Sequence, residues 1–183
     1  MRIITGKLKG RRITIPKGLD VRPTTDRTKE SIFNKIEVYK YIEGSKVLDL
    51  FGGSGSLGFE AISRGAESVT FVDINPKNIE LIEKTGKEFG VDAYVRTAVS
   101  DVQRFLSGKA VPFDFIFCDP PYNYEWMEEM IEQILSNNWL NEEGWFILEH
   151  DKYHKYKDHR HCFFSKAYGR TTVSIFEKHQ VSS

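Results

Sequence analysis

At 183 residues, with 40% hydrophobic and 28% charged side chains and no net formal charge, the chain has the make-up of one ordinary globular domain rather than a disordered or fibrous protein. Its two cysteines, Cys118 and Cys162, lie far apart with no CxxC, which argues against a disulfide framework or a zinc knuckle and fits a reducing, cytoplasmic setting. No run approaches the roughly 18 apolar residues of a membrane span, and MRIITGKLKG lacks the apolar stretch of a signal peptide, so neither a membrane nor an export role is expected.

The charge is unevenly placed. Residues 1–46 carry 12 Lys/Arg against 5 Asp/Glu, and the remainder carries 14 against 21. Ile3-Ile4 and Ile13-Thr14-Ile15 flank KLKGRR, a pattern that predicts a β-hairpin or twisted extended arm. Lys7, Lys9, Arg11 and Arg12 on that arm, with Arg22 beyond it, form a candidate phosphate-contacting patch, the alternative being a solvated basic hairpin. After RPTT, Ile32, Phe33, Ile36 and Tyr39 recur at helical spacing from Asp26 to Tyr41, with Thr24 or Thr25 as N-cap, and Glu43-Gly44 ends that helix. The arm and first helix, residues 1–44, are read as a preface to a core over residues 45–183, within one compact unit.

From there strand and helix alternate. Strands are predicted at Val47 to Phe51, Ser68 to Ile74, Ala93 to Thr97, Phe113 to Cys118 and Trp145 to Leu148. Helices fall between them at Leu57 to Ser63, Pro76 to Phe89, Asp101 to Leu106 and Tyr124 to Ser136. This order predicts an α/β fold with a doubly wound, mostly parallel sheet. Cys162 to Ser165 and Thr172 to Phe176, joined through Gly169, suit a terminal antiparallel hairpin.

The first predicted strand runs into GGSGSLG, readable as Gly53-x-Gly55-x-x-Gly58, and Asp73 ends the next strand where a carboxylate can accept both hydroxyls of a ribose. Strand, glycine turn, helix, strand and acid in that order predict a nucleoside-cofactor site; the plainer alternative is a turn that serves helix packing alone. NAD and S-adenosylmethionine (SAM) both suit this geometry. Asp49 favours SAM, because a carboxylate just before the glycines attracts a cationic amino-acid group and repels a pyrophosphate. Asp101 either caps the helix that it opens or accepts from the adenine amino group.

Asp119-Pro120-Pro121-Tyr122 follows the fourth predicted strand, at the edge where open α/β sheets bind ligands. A carboxylate and a proline carbonyl can accept the two hydrogens of an exocyclic amine and aim its lone pair at an incoming methyl group. The prolines stiffen the loop and offer no competing N–H, and Tyr122 offers a face to an unstacked base. A rigid turn with a capping aspartate is the bland alternative.

These residues together resemble the RsmD family, bacterial methyltransferases acting on the N2 amine of a guanine in 16S ribosomal RNA. The resemblance runs from Arg2 to about Glu177 and rests on RIITGKLKGRRI, RPTTDRTKESIFN, VLDLFGGSGSLGFEAISRGA, FVDIN and DPPY. It implies a seven-stranded class I methyltransferase fold, SAM as donor, and catalysis by Asp119, Pro120, Pro121 and Tyr122. It further implies SAM contacts from Asp49, Phe51, Gly53, Gly55, Asp73 and Ile74, with Thr25, Arg27 and Asn34 lining the pocket or its entrance. Gly52 stands where alanine is common and Tyr122 where phenylalanine is also used; the stretch through Asp101 matches more loosely. The expected partner is 16S rRNA or the small ribosomal subunit, bound by a monomer.

Two rivals stand beside this reading: an adenine-N6 methyltransferase of RNA or DNA, and a non-catalytic RNA-binding assembly factor that keeps a nucleoside pocket. His150, His154, His159 and His161 are spaced too irregularly for a metal site. Cys118, beside Phe115, Ile116 and Phe117, is read as an inert core thiol.

Overall fold

The computed structural model describes residues 1–179. Thr25 caps the first helix, α1 (Asp26–Tyr39), by accepting from the Thr28 N–H, and the helix buries Ile32, Phe33 and Ile36. The alternation then runs β1 (Lys46–Leu50), α2 (Ser56–Ser63), β2 (Ser68–Asp73), α3 (Pro76–Glu88), β3 (Val95–Val99), α4 (Val102–Leu106), β4 (Phe113–Cys118), α5 (Met127–Ser136) and β5 (Leu140–His150). A hairpin of β6 (Cys162–Tyr168) and β7 (Thr171–Phe176) closes the sheet. The seven strands lie in the order β3-β2-β1-β4-β5-β7-β6. The first five in that row are parallel, and β7 inserts antiparallel between β5 and β6.

Successive side chains of each strand face opposite layers. One face carries Val47, Phe71, Phe117 and Ile147 against α1, α2, α3 and the N-terminal segment; the other carries Leu48, Leu50, Ile116 and Phe146 against α4 and α5. Phe33, Phe59, Phe71 and Phe117 are each at most 1% exposed, and burial of a side chain of that size stabilises the fold by about 1.5–3 kcal/mol.

Three local differences from the expected elements have physical causes. Residues 1–13 form one antiparallel bridge, between Arg2 and Arg12, rather than a ladder. The intervening chain turns back to bury Leu8, whose N–H donates to Ser63 Oγ at the end of α2. β5 begins at Leu140, five residues before the predicted start, because Asn141 to Gly144 bulge between the Phe113–Leu140 and Phe115–Trp145 pairs, and a Cβ on Gly144 would come within 2.8 Å of Leu140. β3 lies two residues later than predicted because Asp92–Tyr94 form a 3-10 turn first.

The N-terminal segment is held by buried charge. Both Glu60 oxygens, fully buried on α2, accept from the Ile4 N–H at 3.0 and 3.1 Å, and Oε1 also accepts from Arg64 at 3.2 Å. Lys29 is buried beside it and donates from Nζ to Arg2 O at 2.5 Å and Ser56 Oγ at 3.0 Å. Burial pulls the Lys29 ammonium below its ordinary range, against the attraction of Glu60. Glu60→Ala would leave the Ile4 N–H unpaired and remove the main carboxylate opposing the buried Lys29, while Arg64 would keep only its pair with Glu37. It should lower the unfolding free energy in urea by about 3–5 kcal/mol, with a smaller loss for Glu60→Gln, whose amide oxygen still accepts.

Candidate active site

Parallel register sets the strand ends level. Leu50 pairs with Val72 and with Cys118, and Cys118 pairs with Leu148. The next residues along the four chains are Phe51, Asp73, Asp119 and Glu149, so three acids end neighbouring positions at the carboxyl edge of the sheet. Asp49, two residues earlier on β1, faces the same layer and is 3% exposed.

The glycine turn joins these acids to α2. Phe51 has φ 57°, the one positive value outside glycine among the described residues, and Tyr124 packs edge-on against its ring at 5.0 Å. A bulky side chain in this region is a genuine outlier, of the kind that clusters at functional sites. Gly55 has φ 81°, and a Cβ there would lie 2.8 Å from the Phe59 ring. At Gly52 a Cβ would meet its nearest neighbour at 3.5 Å, ordinary contact, so either glycine or alanine fits. The turn then turns its amides on the acids: Gly53 N donates to Asp73 Oδ2 at 2.9 Å, and Gly58 N to Asp49 Oδ2 at 3.1 Å.

A cleft forms between this turn and the chain before α1, lined by Arg22, Thr24, Asp49, Gly53, Ser56 and Asp119. Arg22 donates from Nη2 to Asp119 Oδ1, with its guanidinium 4.3 Å from the Tyr122 ring centre. Thr24 Oγ1 donates to Glu149 Oε1 at 3.1 Å. Among the described residues Asp49 and Glu149 have no ion-pair partner. Burial, with the charges of Asp119 and Asp73 added, pushes the Asp49 carboxyl well above its ordinary range, against the single N–H from Gly58. Burial lifts Asp119 to about 6 even with Arg22 opposing it. Glu149 rises to about 8, first through burial and then through the charge of Asp119. Such a cleft gains by taking up a cation, which restores the charged carboxylates at little cost.

The structure brings together most of the residues singled out from sequence. Asp119, Pro120, Pro121 and Tyr122 follow β4, and Asp49, Phe51, Gly53, Gly55, Asp73 and Ile74 surround the neighbouring strand ends. Asp101 caps α4, its Oδ1 accepting from Arg104 N at 3.1 Å. Thr25 is engaged as the cap of α1, and Arg27 and Asn34 are exposed on that helix; the cleft is lined by Thr24 instead. Of the basic residues, Arg22 enters the cleft. Lys7 N donates to Ser63 O and Arg11 Nη2 to Glu88 O, at the final residues of α2 and α3. Those helices run against the strands, so Lys7, Lys9 and Arg11 lie toward the opposite edge of the sheet, the full length of α2 away, about 12 Å. Arg12 sits between, bridged to Arg2.

Sequence reasoning missed Thr24, Val99 and Glu149. Val99, 55% exposed, pairs with Asp73 and stands near Ile74, 67% exposed. Glu149 had a legible signal: like Asp73 and Asp119, it is an acid closing an apolar run. The histidines serve local structure, His150 Nε2 lying 2.7 Å from Ser174 Oγ and His154 Nδ1 3.0 Å from Asp151 Oδ1. Cys118 is buried with its Sγ 3.6 Å from Met130 Sδ, and burial raises its thiol pKa.

A carboxyl that holds its proton more tightly folded than unfolded stabilises the fold at low pH, and the benefit is lost as pH rises from its unfolded to its folded pKa. For Glu149 that window runs from 4.5 to about 8, and for Asp119 from 3.8 to about 6. Urea unfolding of the unliganded protein should therefore show greater stability near pH 5 than near pH 8.5, by a few kcal/mol and at most about 5 kcal/mol. Glu149→Gln should flatten the upper part of that decline.

Comparison with known proteins agrees with this architecture. The family model Cons_hypoth95, described as Conserved hypothetical protein 95, matches residues 1–177. YlbH of Bacillus subtilis is 36% identical over 97% of this chain and 99% of its own length. Ribosomal RNA small subunit methyltransferase D of Escherichia coli is 35% identical over 81% of this chain and 74% of its own. The solved structure of yhhF from Escherichia coli superposes with a TM-score of 0.86 over 99% of both chains, at 29% identity. The chain therefore belongs to the Cons_hypoth95 family, the RsmD family that its motifs resemble.

Proposed function

We propose that this protein transfers a methyl group from SAM to the exocyclic N2 amine of a guanine in 16S rRNA. The observation that carries the reading is the row of desolvated acids: Asp49 and Asp73 flank the glycine turn, and Asp119 opens DPPY one strand away. Relatives named ribosomal RNA small subunit methyltransferase D, including that of Haemophilus influenzae at 34% identity over 83% of this chain, support the substrate class.

The residues present suit SAM. Asp49, buried without a cation, is placed for the amino group of the methionyl part, with Phe51, Gly53 and Gly55 lining its path. Each Asp73 oxygen accepts one backbone N–H, from Asn75 or Gly53, and keeps a lone pair for a ribose hydroxyl. The exposed Ile74 and Val99 offer apolar faces to an adenine ring, and the second Asp101 oxygen can take its amino group. Thr25 and Arg27 are left to the rim. When bound, SAM supplies a methyl carbon activated by a sulfonium.

On the acceptor side, Asp119 and the Pro120 carbonyl take the two amine hydrogens and hold the nitrogen lone pair toward the cofactor. Pro121 stiffens the loop, and Tyr122, 43% exposed, offers a stacking face. With a pKa near 6, Asp119 is also suited to receive the proton that the nitrogen sheds after attack.

Asp119→Ala should reduce methyl transfer by at least 100-fold while SAM affinity, measured by calorimetry, changes by less than about threefold. Retention of most turnover would refute the assigned role. For RNA, the groove beside Tyr122 lined by Lys152, Tyr153 and Arg170 is nearer the reacting centre than Lys7, Lys9 and Arg11. Charge reversal at Lys152 and Arg170 should weaken RNA binding and reduce its salt slope by about two, one for each phosphate contact. Reversal of Lys7, Lys9 and Arg11 should do so less; the opposite ranking would restore the N-terminal segment as the main RNA grip.

A further inference from the structure

Glu149 is a buried acid to which the proposed methyl transfer gives no part. It is 3% exposed, ends the apolar run of β5, and by register stands beside Asp119, one strand spacing or about 4.8 Å along the sheet edge. Among the described residues its side chain makes one hydrogen bond, accepted from Thr24 through Oε1, and Oε2 has no partner. The nearest cation, Arg22, is committed to Asp119. A carboxyl so placed is costly to the fold unless a ligand donor uses it. It also lies on the side of Asp119 away from Asp49 and Asp73, where an acceptor base would enter opposite the cofactor.

We propose that Glu149, positioned by Thr24, reads the Watson–Crick edge of the target base by accepting the N1–H of guanine while Asp119 holds the adjoining N2 amine. The inference rests on the methyl-transfer reading and deepens it, because it supplies a physical reason for guanine. Guanine presents donors at both N1 and N2, and two neighbouring carboxylates match that pair. Adenine presents an acceptor at N1, which would leave an ionised Glu149 unpaired in a desolvated site. A pocket built to bond a substrate N–H rejects analogues that lack it far more strongly than an apolar pocket of equal fit.

Ionisation is part of the recognition, since the protonated acid cannot accept from N1. Asp119 on the loop after β4, Asp49 on β1 and Cys118 on β4 surround Glu149 with negative or neutral groups, Arg22 and Thr24 approach from the segment before α1, and β7 contributes uncharged Val173. The Glu149 carboxyl stands near 8 in the unliganded site, and the guanine N1–H favours its charged form. Recognition should therefore strengthen as pH rises toward 8.

The test compares wild type, Glu149→Gln and Glu149→Ala on small-subunit rRNA carrying either guanine or 2-aminopurine at the methylated position. 2-Aminopurine keeps the amine and lacks the N1–H. Wild type should prefer guanine by roughly 100-fold or more in kcat/KM, whereas Glu149→Ala should act on the two within about threefold of each other. Glu149→Gln, whose amide oxygen still accepts, should recover part of the preference and lose the rise in kcat/KM toward pH 8. A wild-type preference for guanine that persists undiminished in folded, SAM-binding Glu149→Ala would overturn the inference, and if that variant does not fold, an undiminished preference and unchanged pH profile in Glu149→Gln would do so. Absence of methyl transfer by wild type itself would instead overturn the underlying reading.

Discussion

The site depends on carboxylates held out of water at the ends of neighbouring parallel strands. Parallel strands joined by right-handed helical crossovers present all their carboxyl ends to one crevice. Here the register brings Asp73, Asp119 and Glu149 to one level, with Asp49 just below. Both faces of the sheet are covered, so these acids share a medium of low polarity and repel one another. Their mutual cost is tolerable because a glycine turn points amides at two of them and one guanidinium meets a third. The remaining imbalance is what the proposed cationic cofactor and donor-rich base edge would relieve.

The N-terminal segment completes this arrangement. Ile3, Leu8 and Ile13 belong to the same apolar cluster as the central strands, and Glu60 and Lys29 fasten their backbone to α2 and α1. Thus anchored, the chain reaches the carboxyl edge of the sheet with Arg22 and Thr24, which bond Asp119 and Glu149 there. Arg22 and Asp119 are 97 positions apart in sequence and meet only because the segment is packed, not free. The buried Glu60 and Lys29 that hold the N-terminal segment are therefore linked, through one stretch of chain, to the acids of the cleft.

Much of this was legible in the chain. Alternating apolar runs gave the order of strands and helices, and acids closing two of those runs marked the edge where the acids gather. GGSGSLG could be placed because strand, turn and helix follow one another within a few residues. What escaped depended on non-local contacts. KLKGRR has the composition of a hairpin, yet Leu8 gains more by entering the core than a short exposed ladder would return. The bulge from Asn141 to Gly144 conceals the true start of β5 behind polar residues. Glu149 carried the same signature as Asp73 and Asp119, but no motif surrounds it, and only strand register shows that it adjoins Asp119. The basic patch was visible as composition, while its position at the opposite edge of the sheet from DPPY follows from helix direction.

The proposed reaction at this edge moves a methyl group onto guanine N2. Its most direct test is incubation of the purified protein with methyl-labelled SAM and unmethylated small-subunit rRNA, followed by nucleoside mass spectrometry. Label is expected in N2-methylguanosine; label in N6-methyladenosine, or in no nucleoside, would refute this role.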